Sequence, residues 1–238
     1  QHRINLIKSL GVDDVCVIPF TKKFSRLKPE GFVKTYLIKR LGVREVFVGD
    51  DFRFGENRTG DVALFQEMGH RFGFKVHHID TIKKTRQKIS SSWLRESILK
   101  GKLYQASRLL GRRVSVSGKV IKGKGLGKRL GFPTANVQID SGILPANGVY
   151  IVQVLLKNRK LWGISNIGLR PSVMSDQSSV LLEVHLLDFS EKIYREKLNI
   201  EFVKRIRDEK KFPSLQSLVA QISKDEKSAR RYIKSSKT

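Results

Sequence analysis

At Gly111 the hydrophobic pattern of this chain changes period, and that change constrains the fold more than any single motif. Downstream, RRVSVSGKVIKG, GVYIVQVLLKNRKLWGISNIG, SVLLEVHLLDF and KLNIEFVKRIR are strand-like runs broken by Gly, Asn and Pro. Residues two apart share one face of a strand, so these runs predict half-buried β-structure, with KNRK as a hairpin turn. Several strands at this spacing suggest a small antiparallel barrel. SLQSLVAQISKDEKSARRYI closes the chain as an amphipathic helix, with Leu215, Leu218, Val219 and Ile222 on one face.

Upstream of Gly111 helical and strand patterns alternate. QHRINLIKSL reads as a helix already under way, and VDDVCVIPF as a strand. GFVKTYLIKRLG places Phe32, Val33, Tyr36, Leu37 and Leu41 at helical spacing, with Gly42 as a stop. EVFVGD follows as a short buried strand, TGDVALFQEMGHRFG as a helix begun near Thr59 to Asp61, and FKVHHID as another strand. This alternation implies a parallel sheet flanked by helices. SSSWLRESILKG, capped by serines, and KLYQASRLLG add two short helices. The expected division is therefore an α/β domain over residues 1–110 and an all-β domain over 111–238.

Composition narrows the function. With 39% hydrophobic and 29% charged residues among 238, the chain is globular in character. No apolar run approaches the roughly 20 residues that cross a bilayer, which predicts no membrane partner. The lone Cys16 has no internal partner, and a reducing, cytoplasmic setting suits it. The chain opens on Gln1 without a signal-peptide pattern, so a preceding segment is expected. A net charge of +25 favours anionic partners, whether nucleic acid or phosphorylated cofactors. Much of the excess lies in KKFSRLK, IKKTRQK and KSARRYIKSSK, where a solvated basic face on helices and turns is the ordinary explanation.

The segment GKVIKGKGLGKRLGFPTANV carries the densest chemistry. Gly123, Gly125 and Gly127 let backbone come close to a ligand, and free N–H groups there can cradle phosphate oxygens. Lys122, Lys124, Lys128 and Arg129 add positive charge, Pro133 fixes the local backbone, and Thr134 and Asn136 offer oxygen ligands of the kind that Mg²⁺ accepts. A flexible glycine-rich hairpin followed by a proline turn accounts for the same spacing equally well. The segment is neither a Walker A loop nor a Rossmann GxGxxG. In SVLLEVHLLDF, Val180, Leu182, Val184 and Leu186 form one strand face, while Leu181, Glu183, His185 and Leu187 form the other. On that mixed face Glu183 is either a solvated carboxylate or a functional one.

Taken in order, GKVIKGKGLGKRLGFPTANV, NGVY, SNIGLRPS, LEVHLLDF and IRDEKKFPSLQSLVAQISKD resemble the riboflavin kinase module of the bacterial bifunctional riboflavin kinase/FAD synthetases. VGDDFRFGENRTGD and KISSSWLRESILKGKLYQASRLLGRR resemble that family's FMN adenylyltransferase module and its junction with the kinase. The resemblance implies a partial Rossmann-like nucleotidyltransferase domain followed by a six-stranded antiparallel kinase β-barrel with a C-terminal helix. It implies transfer of the ATP γ-phosphate to the riboflavin 5′-hydroxyl, giving FMN and ADP, with riboflavin, ATP and FMN as partners and Mg²⁺ as cofactor. A nucleic-acid partner is then disfavoured despite the charge; the oligomeric state is not implied.

Residue by residue, Gly123, Gly125, Gly127, Lys128 and Arg129 would wrap ATP, Thr134 and Asn136 would hold Mg²⁺ against its phosphates, and Glu183 would be the general base. The stretch from Asn166 to Ser172 resembles a further family motif, Ser172 standing where the family usually has Thr, and Arg207 resembles a residue near the flavin. Read alone, Arg207 in the loop-like IRDEKKF is a surface cation. Upstream, Asp51, Phe52, Arg53 and Phe54 would lie on the flavin side of an adenylyltransferase site, with Ser91, Ser92 and Arg95 near ATP phosphates. That family's first strand and its His-x-Gly-His motif are expected before residue 1. His77 and His78 do not replace them, because strand neighbours point to opposite faces. The sequence therefore predicts kinase activity without FMN adenylylation, the latter belonging to a longer parent.

Overall fold

Ser90 is where the chain passes from one packed unit to the next. The computed structural model describes residues 2–80, 83–84, 87–123, 125–170 and 179–236, and its packing divides into Arg3–Ile89 and Ser90–Thr238. The first unit opens with α1 (His2–Lys8), α2 (Lys22–Ser25), and α3 (Pro29–Phe32), which runs on as a π-helical stretch over Val33–Arg40. Strand β1 (Glu45–Gly49) and strand β2 (Lys75–Ile79) flank α4 (Val62–Phe72) and pair in parallel, from Glu45 opposite Lys75 to Gly49 opposite Ile79. Local chemistry sets the helix ends: the Asp61 carboxylate accepts the Leu64 N–H, and Gly73 leaves the helix at φ +76°, a left-handed conformation that costs glycine little.

The core of this unit is aromatic. Phe54 stacks on Phe52 at 5.3 Å and meets Phe65 edge-on at 4.9 Å, beside buried Val33, Met68 and Phe74. Two expectations fail here. VDDVCVIPF is not a strand: residues 12–20 join no ladder among those described, and Val17 and Phe20 are exposed. A strand persists by backbone pairing, and an apolar run without a partner strand loses that reason to extend. In the basic stretch IKKTRQK, assigned above to helices and turns, the described residues are instead strands, β3 (Lys83–Lys84) and β4 (Gln87–Lys88), which pair antiparallel.

The second unit begins with α5 (Ser91–Leu99), whose Trp93 N–H is capped by the Ser90 hydroxyl, and α6 (Leu103–Leu110), which Gly111 ends at φ +67°. Ile98, Leu103 and Ala106 from these helices share one buried cluster with Val114, Val116 and Tyr150. Strand grammar begins just after Gly111, but packing begins at Ser90, because both helices need the barrel to bury their apolar faces.

Then come β5 (Val114–Ile121), the short α7 (Leu126–Arg129), β6 (Ala135–Ser141), β7 (Gly148–Leu156), β8 (Arg159–Arg170), β9 (Ser179–Leu186), β10 (Lys197–Arg207) and α8 (Leu215–Ser235). The six strands close into a barrel in the order β10-β5-β6-β9-β8-β7, with antiparallel neighbours throughout. KNRK turns β7 into β8, with Lys157 at φ +53°. The inward residues, among them Val152, Val154, Leu182, Val184, Leu198, Ile200 and Phe202, fill the interior, so the barrel is a packed core. On the outside, α8 covers Val149, Ile151 and Ile164 with Ala229, Tyr232 and Ile233. Its start is fixed by a capping box between Ser214 and Ser217.

Candidate active site

One line of side chains crosses five strands. Asn136 on β6 faces Glu183 on β9, Glu183 faces Asn166 on β8, Asn166 faces Val149 on β7, and Val149 faces Arg207 on β10. Directly opposed residues in an antiparallel ladder project from the same face. Their neighbours Leu182 and Val184 are buried in the barrel, so this row points outward. All five residues line a single cleft of about 440 Å³, together with Thr134, Gly125, Gly127, Phe132 and His185. Two sequence motifs nearly fifty residues apart, PTAN and EVH, therefore meet as adjacent strands, and Glu183 stands half-buried between two asparagines.

The glycine-rich loop is shaped by what it touches. A side-chain carbon at Gly123 would collide with the Asn136 amide, and one at Gly127 would collide with the Phe132 carbonyl and the Thr134 hydroxyl. Gly125 opens α7 at φ +70°. Only glycine allows this backbone to fold over the oxygen-bearing side chains, and the Phe132 N–H closes the return by donating to the Gly127 carbonyl at 2.8 Å. Lys128 and Arg129 sit on α7, exposed, and are not part of the cleft wall. Lys124 and the Pro171–Ser172 end of SNIGLRPS lie outside the described residues.

Arg207 is the last residue of β10 rather than part of a loop, and it is no surface cation. Its Nε donates to both Asp225 carboxylate oxygens at 3.1 and 3.0 Å, and its Nη2 donates to one of them at 2.8 Å. Nη1 reaches the Asp208 carbonyl, and the Gln221 amide donates to the same carboxylate from the preceding turn of α8. The side chains are 15% and 5% exposed. Such a forked, charge-assisted pair locks α8 onto the barrel and so places Leu218 and Ile222, with Phe212, along the apolar side of the cleft. Sequence reasoning did not single out Asp225, Phe212, Phe132 or His185 as site residues. His185 carried a readable signal, being two residues beyond Glu183 on one strand face.

Upstream, the candidate residues fall in two units. Asp51, Phe52, Arg53 and Phe54 follow β1 in the first: Asp51 is exposed, Arg53 pairs with Asp61 at 3.1 Å, and Phe54 is buried in the aromatic core, where it exchanges backbone hydrogen bonds with Gly60. Leu64 N–H, followed by Arg53, holds the Asp61 carboxyl below the usual range. His77 and His78 point apart: His77 meets Glu45 at 2.8 Å and stacks on Phe47, while His78 meets Asp50 at 2.6 Å. In the second unit Ser91, Ser92 and Arg95 are exposed on α5, and Ser90 supplies its cap.

The riboflavin kinase family model matches residues 110–233, and the FAD synthetase family model matches residues 1–93. The chain is similar to proteins named bifunctional riboflavin kinase/FMN adenylyltransferase. That of Buchnera aphidicola is 42% identical over 98% of this chain and 75% of its own length. That of Escherichia coli is 38% identical over 98% and 74%, and that of Haemophilus influenzae 38% over 99% and 76%. A crystal structure described as a macrolide-efflux protein from Streptococcus pneumoniae matches with a TM-score of 0.81 at 30% identity, covering 96% of this chain and 73% of that one. Among the described residues no helix is long and apolar enough to cross a membrane. The match of residues 1–93 gives no support to the expectation that adenylylation is lacking.

Proposed function

We infer from membership of the bifunctional riboflavin kinase/FMN adenylyltransferase family, to which this chain belongs, that its barrel unit transfers the γ-phosphate of ATP to the 5′-hydroxyl of riboflavin, giving FMN and ADP. The single observation that carries the site assignment is the placement of Asn136 directly opposite Glu183 in one cleft. Phosphoryl transfer asks little covalent chemistry of a protein; it needs the reacting groups held in line and the phosphate charge neutralised.

Glu183 accepts the proton of the 5′-hydroxyl as its oxygen attacks phosphorus, and the bond to the ADP leaving oxygen breaks. The backbone at Gly125 and Gly127, which carry no side chains themselves, lies along the ATP phosphates. Thr134 and Asn136 would hold Mg²⁺: both are neutral oxygen donors, and both sit in a cradle that a side chain at Gly123 or Gly127 would fill. The ion would supply charge neutralisation on the phosphate oxygens. Leu218, Ile222 and Phe212 offer an apolar wall to the flavin ring, and Arg207, held by Asp225, fixes that wall. The exposed, unpaired Cys16 suits a reducing, cytoplasmic setting.

The test is incubation with riboflavin and Mg-ATP, followed by chromatographic separation of riboflavin, FMN and FAD. FMN with ADP is the expected result, and no flavin product would overturn the assignment. FAD in addition would show that the first unit is active as well.

A further inference from the structure

The paired residues of β6 and β9 run from Val137 opposite Leu182 to Ala135 opposite Val184, so the ladder ends one residue short of Thr134. The next residue of β9 is His185, and its Nδ1 lies 2.8 Å from the carbonyl oxygen of Pro133. A carbonyl only accepts, so His185 Nδ1 carries a proton and donates it to this bond. The same ring meets Phe132 edge-to-face at 5.9 Å. A side-chain donor thus takes over where backbone pairing stops, and it ties the strand that bears Glu183 to the segment that bears Thr134.

We propose that His185 is a positioning residue of the kinase site, which sets the Thr134 end of PTAN against the Glu183 row and so governs binding of Mg-ATP rather than of riboflavin. The inference rests on the kinase reading above. It also accounts for the histidine lining the cleft two residues from the base, on the same strand face. Leucine or phenylalanine at this position would keep the bulk and lose the tether.

His185→Asn and His185→Gln in the full chain separate this role from mere packing. An asparagine amide nitrogen reaches the place of Nδ1, whereas the longer glutamine carries its nitrogen past it. H185N is expected to keep KM for Mg-ATP within about twofold of the unsubstituted chain, while H185Q raises it about five- to tenfold, the worth of one hydrogen bond. KM for riboflavin stays within about twofold in both. Equal KM values for Mg-ATP in the two variants, or a riboflavin KM that rises in step, overturn the proposal. So does a variant whose thermal midpoint falls while the KM of its active fraction is unchanged. An unsubstituted chain that forms no FMN overturns the kinase reading itself; an active one with indistinguishable variants overturns only the role of His185.

Discussion

The barrel cleft and the segment after β1 were both readable as sites from their residues, and the structure treats them differently. In the barrel, Asn136, Glu183 and Asn166 are presented outward by strands whose inward neighbours carry the core, so the proposed site and the core occupy opposite faces. After β1, Phe52 and Phe54 belong to the aromatic core, and Arg53 is engaged by the residue that caps α4. There one short run of residues serves packing and capping together. A ladder with period two separates the two duties cleanly; an irregular turn does not.

Substitutions sharpen this contrast. Glu183→Gln removes the proposed base from an outward face, so FMN formation should fall about 10²- to 10⁴-fold with an unchanged thermal midpoint. A midpoint that drops with turnover would break the separation of duties. Phe54→Ala should do the reverse, destabilising the first unit by about 3–5 kcal/mol, read as an earlier urea transition, while riboflavin KM and kcat of the folded protein stay put. Turnover that falls as far as stability would show that the first unit is needed for the kinase step.

The smallest effect concerns acid. The Asp61 carboxyl is held below its usual range by the Leu64 N–H first, then by Arg53, so its ionised form stabilises the folded unit above the ordinary carboxylate pKa. That contribution is lost as pH falls through the lowered value. Asp61→Asn keeps a capping oxygen but not the charge, and should show a smaller loss of stability between about pH 6 and pH 3 in urea unfolding. An unaltered difference would mean that the cap acts through geometry alone.

Much of the barrel was legible because alternation is local: SVLLEVHLLDF shows which face Glu183 takes before any partner is known. The family resemblance supplied the count of six strands, since β6, hidden in PTANVQIDS, reads as a proline turn until its ladder with β5 and β9 is seen. VCVIPF failed for the opposite reason, an apolar run without a pairing strand among the described residues. The Arg207–Asp225 pair was illegible because it joins a strand end to the third turn of a helix, across a loop whose path no spacing rule fixes. His185 was half legible: its face could be read, but its partner depends on where a ladder stops.

The strand β10 pairs with β5 on one side and β7 on the other, so the barrel's last strand in chain order closes against its first. A slip of one residue in any of the ladders between would turn its member of the outward row into the interior. Refolding from denaturant therefore has an internal clock: collapse and helix formation can precede it, but turnover returns only when the most sequence-distant pairing has locked in register, a slow event for such a topology. The appearance of enzymatic activity would time the final seam of the barrel, with no spectroscopic label required.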